Sequence, residues 1–288
     1  MAIYIDILSK TPRTSMTHGF GLVTDLGIIQ RLLKCDRSTA EGLLYVDRGP
    51  EGGKMVTTGL YDSVSNKHPY KLTPIGFEPS SRTFSAIDLE YRAQNPVNIK
   101  KPPALSIKAK WDTNRYESGD QNNILGDNGR LELPCEFIDV PVVEATSETL
   151  AYYGALLIAP GEVVSFPDEN YPIWHMEIGD EYIDRFLMQK EGGGFYLEYH
   201  TDQPHFHMAL YGDGCYLLAK WADESQTTLE ITGFKIPDSH AVYTKKGAIH
   251  CDAALKGEWL VGYTTSDHCS TVLLRDPEDR FVHMRFQD

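Results

Sequence analysis

The sequence predicts a mainly β protein. Its second half, residues 141–288, is expected to close into a β-barrel. Residues 1–140 read as an α+β or diverged β-rich region. Three observations carry this. After residue 154 the apolar runs are short, rich in Val, Leu, Tyr, Phe and Thr, and bounded by Gly, Asp and Pro turns. Short strands at such even spacing favour a sandwich or barrel. Eight of the ten histidines fall between positions 175 and 283, among those strands.

In the first half one helix is expected near the start. Thr24 or Asp25 can cap it, and Leu26, Ile29 and Leu33 form one apolar stripe with Ile28 and Leu32 beside it. Short strands follow, punctuated by Gly-Pro-Glu-Gly-Gly at 49–53, Pro79-Ser80-Ser81 and Pro102-Pro103. Residues 112–130 are polar and turn-rich, so a loop or linker is expected there, with a domain boundary after it. A short helix over 145–154 opens the second half. Thr146 suits its N-cap, Glu148 its first turn and Gly154 the position after its end. Strands are then expected over 154–158, 195–200, 205–210, 216–221, 228–234, 259–264, 271–275 and 281–286.

Composition narrows the function. The 288 residues are 41% hydrophobic and 24% charged, an ordinary globular mix. Acidic residues outnumber Lys and Arg by 41 to 27, a net charge of −14. No basic face for a nucleic-acid backbone is evident. No apolar run is long enough for a membrane span, and the start carries no signal-peptide pattern. Five widely spaced cysteines without a CxxC read as reduced thiols of a cytoplasmic protein. A homodimer is the expected assembly, since two-fold oligomers are commonest.

The densest chemistry lies in Tyr199-His200-Thr-Asp-Gln-Pro-His205-Phe-His207. His205 and His207 are two apart, so on a strand both imidazoles point to one face. That is the simplest way for a strand to offer two nitrogens to one metal. His200 precedes a turn that folds it back toward them. A second patch, Tyr243-Thr-Lys-Lys-Gly247-Ala-Ile-His250-Cys-Asp252, delivers another histidine after a glycine turn. His205, His207 and His250 are therefore the candidate metal ligands, with His200, Glu198, Tyr211 and Asp252 competing for a fourth place. Neutral imidazoles suit Fe, Zn, Mn or Ni. Glu198, Tyr211 and Tyr243 are candidate acid–base groups. His200, Lys220 and Lys245 are candidate substrate holders, the lysines for a carboxylate. His175, His240, His268 and His283 read as structural or surface residues. Gly192-Gly193-Gly194 precedes a strand and is a hairpin, not a phosphate loop.

His205-Phe-His207 and Gly247-Ala-Ile-His250 resemble the two cupin motifs. The first is a His-x-His pair followed, after three or four residues, by a Glu. The second is a proline-glycine turn that delivers the last histidine. Two positions depart from it: Tyr211 and Gly212 stand where the Glu belongs, and Lys245 replaces the proline. The second half is also similar to the ureidoglycolate lyase family. The similar stretches are Val143–Gly154, His200-Thr-Asp-Gln203, Val242–His250 and Leu260-Val-Gly-Tyr-Thr. The resemblance implies a cupin-type jelly-roll barrel and a metal-dependent lyase that eliminates urea from ureidoglycolate to leave glyoxylate. Two other expectations fit the same residues: an Fe(II)-dependent dioxygenase, or a non-catalytic module that binds a small molecule.

Overall fold

A computed structural model describes residues 55–288 except 115–116, 118–127, 170, 191, 263–265, 267 and 288. The helix expected over 26–33, the turn at 49–53, His18 and Asn122-Asn123 lie outside the described residues. The fold is mainly β. In the first part run β1 (Met55–Val64), β2 (Tyr70–Thr73), β3 (Gly76–Pro79), β4 (Ile87–Asp88), helix α1 (Leu89–Gln94), β5 (Leu105–Lys108), β6 (Lys110–Asp112), β7 (Asn128–Glu132) and β8 (Phe137–Glu144). Helix α2 (Ser147–Ala151) follows, then β9 (Ala155–Ile158), β10 (Val163–Ser165), β11 (Tyr171–Ile178), β12 (Tyr196–His200) and β13 (His205–Gly214). The chain finishes through β14 (Tyr216–Trp221), β15 (Thr228–Lys235), β16 (Ala241–Thr244), β17 (Ile249–Cys251), β18 (Leu255–Gly262), β19 (Cys269–Arg275) and β20 (His283–Gln287).

These strands form three sheets. A six-stranded sheet has the order β1-β11-β18-β13-β16-β9, and a small four-stranded one the order β3-β2-β10-β4. The ten-stranded sheet runs β20-β8-β15-β14-β17-β12-β19-β7-β6, with β5 also paired to β15. Between β11 and β18 the chain alternates: β11, β13, β16 and β18 belong to the six-stranded sheet, and β12, β14, β15 and β17 to the ten-stranded sheet. The boundary expected after residue 140 falls inside β8. Strands β1, β5 and β7 pair with β11, β15 and β19, so the described first-half strands extend the sheets of the second half.

The six-stranded sheet separates two apolar cores. Side chains alternate along a strand. Ala209, Val242, Trp259 and Val261 face the larger core, which the ten-stranded sheet shares. Phe206, Met208, Tyr243 and Leu260 face a second core with Leu72, Phe77 and Leu89, under the four-stranded sheet and α1. This double burial leaves most of β11 and the first six residues of β13 buried on both faces.

Helix α2 is short and depends on its cap. The Thr146 hydroxyl accepts from the Thr149 N–H at 3.2 Å, and the Thr149 hydroxyl accepts from the Thr146 N–H at 3.2 Å. This reciprocal pair satisfies two otherwise orphaned donors. Gly154, at φ 81°, then turns the chain into β9. Thr146→Ala is expected to lower the unfolding free energy by about 1 kcal/mol, read as an earlier urea midpoint. Thr146→Ser is expected to retain most of it. An unchanged midpoint in Thr146→Ala would show that the cap contributes nothing.

Candidate metal centre

The site forms where the two large sheets face each other. Glu198 and His200 are two apart on β12, so both project from one face of the ten-stranded sheet. His250 on β17 pairs directly with Glu198 across the ladder. Opposite them, His205 opens β13 in the six-stranded sheet. The turn over 201–204 carries the chain from one sheet to the other, which puts His200 and His205 face to face. A hydrogen bond from the Gly247 N–H to the His200 carbonyl, 2.6 Å, fastens the turn before β17 to the end of β12.

Glu198, His200, His205 and His250 each offer one ligand atom, and these atoms all lie within 4.8 Å of one another. All four residues are buried. Ring centroids are 4.3 Å apart for His205 and His250, and 4.5 Å for His200 and His205. The Glu198 Oε1 faces His250 Nε2 at 3.5 Å and His200 Nε2 at 3.7 Å. Its Oε2 accepts from the Thr271 hydroxyl at 3.3 Å. His250 Nδ1 lies 3.0 Å from the Ala248 carbonyl. That carbonyl can only accept, so Nδ1 carries a proton and Nε2 is the nitrogen turned to the cluster. A second nitrogen anchored to a carbonyl is the usual way a metal-binding histidine is oriented. His250 Nε2 and both ring nitrogens of His200 are buried and make no hydrogen bond among the described residues. Buried polar atoms without partners are costly, and a cation between them would satisfy them.

The electrostatics fit. Burial would raise the Glu198 carboxyl, but the facing His200 and His250 outweigh it and hold it well below the usual carboxylate range. Burial lowers the His200 imidazole, and Glu198 more than reverses this, so it ends raised. Burial, then His250 and His200, push His205 well below 6.5, so it is neutral and ready to donate a lone pair. One carboxylate and three imidazoles make a mixed oxygen–nitrogen set able to hold a metal ion.

His205 and His250, expected as ligands, are in the cluster. His207, expected as the third, is not among the four. Its Nε2 lies 3.4 Å from Asp252 Oδ2, and its ring packs on Tyr216 with centroids 4.7 Å apart. Asp252 also accepts from the Tyr196 hydroxyl. Glu198 and His200, expected as an acid–base group and a substrate holder and also as competitors for a fourth ligand place, stand in the cluster. The other candidates lie elsewhere, for identifiable reasons. A β-bulge between Ala209 and Tyr211 breaks the alternation of β13, leaving Tyr211 57% exposed. Tyr243 pairs with Phe206, not with a histidine, so it faces the second core, where its hydroxyl donates to Glu90 at 2.7 Å. Lys220 and Lys245 sit at the rim, lining a cleft beside Tyr152. His175, His240, His268 and His283 are also outside the cluster. The parity of Glu198 and His200 was readable in the sequence, but that Glu198 faces His250 required the β12–β17 register.

Two substitutions separate these placements. His205→Ala is expected to lower metal affinity by at least about 100-fold, whereas Tyr243→Phe should leave metal stoichiometry unchanged. Elemental analysis after equilibrium dialysis reads both. Stoichiometric metal in His205→Ala, or its loss in Tyr243→Phe, would refute the assignment. The chain matches no family model, no curated protein and no solved structure, so the site is read from its own residues.

Proposed function

We propose that the chain is a metal-dependent enzyme of cupin type that acts as a lyase on a small polar metabolite. The observation that carries this reading is the buried Glu198/His200/His205/His250 cluster. Two further features support a jelly-roll barrel around it. The sheet orders contain β11-β18-β13-β16 and β15-β14-β17-β12, eight antiparallel strands that pass back and forth between two sheets, as in a double-sheet jelly roll. Glu198-x-His200, four residues and then His205 also has the spacing of the first cupin motif, with the histidine and glutamate places exchanged. On this register Gly247-Ala-Ile-His250 supplies the last ligand, and the glutamate missing after His207 is no longer needed.

A divalent ion in this set, Fe, Zn, Mn or Ni, would supply Lewis acidity toward an oxygen of the substrate. The protein's own residues would do the rest. Glu198 contributes the single negative charge and is steadied by Thr271. His205 enters neutral, and the Ala248 carbonyl fixes the His250 tautomer. Strands β12, β13 and β17 belong to sheets rather than loops, so the geometry is pre-organised. Elimination of urea from ureidoglycolate balances without an oxidant. The hydroxyl gives up its proton and its oxygen becomes a carbonyl, the C–N bond breaks, and a proton reaches the departing nitrogen.

Two measurements test the reading. Purified protein is expected to release glyoxylate from ureidoglycolate only when loaded with metal, with no oxygen uptake at an electrode. Oxygen consumption would point to the dioxygenase instead. Ligand binding without turnover would point to a binding module. Metal affinity should also depend on pH. The His200 imidazole, raised above 6.5 by Glu198, must lose its proton to coordinate. Protons therefore compete with metal, and affinity is expected to fall as pH drops through the histidine range. Affinity flat across that range, measured by competition with a chelator of known pH dependence, would contradict imidazole ligation.

A further inference from the structure

A cleft of about 380 Å³ lies at the end of the sheets where the metal ligands stand. Several strand ends meet there: β12 ends at His200, β13 starts at His205, β17 starts at Ile249, and β9 begins at Ala155 opposite Thr244 of β16. Tyr152, Lys220, Trp221, Lys245 and Ile99 are among its lining residues, and no Asp or Glu is. In a chain with 41 acidic residues against 27 basic ones, a cleft with two lysines and no carboxylate is an exception.

Both lysines are only partly exposed, and neither makes an ion pair among the described residues. The Lys220 ammonium sits 4.1 Å from the centroid of the Tyr152 ring and 3.5 Å from the Tyr152 carbonyl. Its cross-strand neighbour is Glu230, whose carboxyl Lys220 helps to hold down electrostatically. That carboxylate is already engaged on both oxygens, by Lys101 at 2.5 Å and the Tyr152 hydroxyl at 2.6 Å. The Lys245 stem packs beside Gly154, where a Cβ would stand 2.4 Å from its Cε, and the Lys245 backbone N–H donates to the Gly154 carbonyl at 3.2 Å. Two positioned ammonium groups, half removed from water, beside one carboxylate that is already hydrogen-bonded on both oxygens, form a receptor for an anion. Tyr152, Trp221 and Ile99 add apolar surface beside them.

From this we infer that the cleft is a binding site for a small organic anion: a carboxylate joined to an apolar or planar body, with the carboxylate held between Lys220 and Lys245. A volume of this order suits a metabolite. Turn 245–248 contributes to the wall of the cleft and leads into His250, although none of the four cluster residues lines it. The anion's role as substrate rests on the enzymatic reading above, whereas its binding does not.

Benzoate, with uncharged benzamide as control, probes the cleft by isothermal titration of the full chain, metal-loaded and chelator-treated. Benzoate is expected to bind both forms and benzamide at least about tenfold more weakly, and Lys220→Met and Lys245→Met should each cost benzoate about tenfold or more. Metal content should be unchanged in both variants. Equal benzoate affinity in wild type and both variants would overturn the inference. So would binding that disappears with the metal but survives in both variants; it would place the anion on the metal and leave the metal centre standing. Wild-type protein gives a second test that needs no folded variant. Benzoate should slow acetylation of Lys220 and Lys245 relative to exposed Lys67, and equal labelling with and without benzoate would again refute the site.

Discussion

The buried Glu198 carboxylate is the constraint around which the interior is arranged. It is held ionised by His200 and His250 in a place with little water. A charge in such a place is tolerated only with matched partners. Those partners come from β12 and β17 of one sheet, so their register must hold for the charge to be balanced, and His205 closes the cluster from the other sheet. One slipped residue in β12 would turn Glu198 and His200 to the opposite face and leave His205 and His250 with nothing across from them.

The same logic accounts for the layering around the site. His207 and Asp252 each lie two residues along from a cluster histidine, and the Asp252–Tyr196 hydrogen bond makes a second polar group there. The six-stranded sheet is buried on both faces, so each of its strands can hold a polar residue on one side and aromatic core on the other. Phe206 between His205 and His207 is the clearest case. At the rim the polarity changes sign: a carboxylate-free cleft with two lysines adjoins a cluster organised by a carboxylate. In a chain with 41 acidic residues against 27 basic ones, that cleft is a local concentration of positive charge.

Much of the second half was legible locally. The strand over 216–221 and the Thr146 cap match the structure, because hydrophobic alternation and capping are short-range signals. Strands β16 and β17, four and three residues long, were not separated as strands, since so few residues leave little periodicity to detect. Two candidates lie away from the cluster. Tyr211, which stands where the motif's Glu belongs, follows a bulge and is exposed, and Tyr243 turns to the other face of its sheet, toward Glu90.

The sequence by itself determined that this is a strand-rich chain with its histidines concentrated at 200–207 and at 250, and that Glu198 and His200 share a face. Which histidines meet was decided only by tertiary structure. A His-x-His pair guarantees a common face but not a common partner. The crossing at 201–204 and the β12–β17 register bring Glu198, His200, His205 and His250 together, while His207 faces Asp252. Those are distances between strands far apart in the chain, and local residue patterns do not encode them.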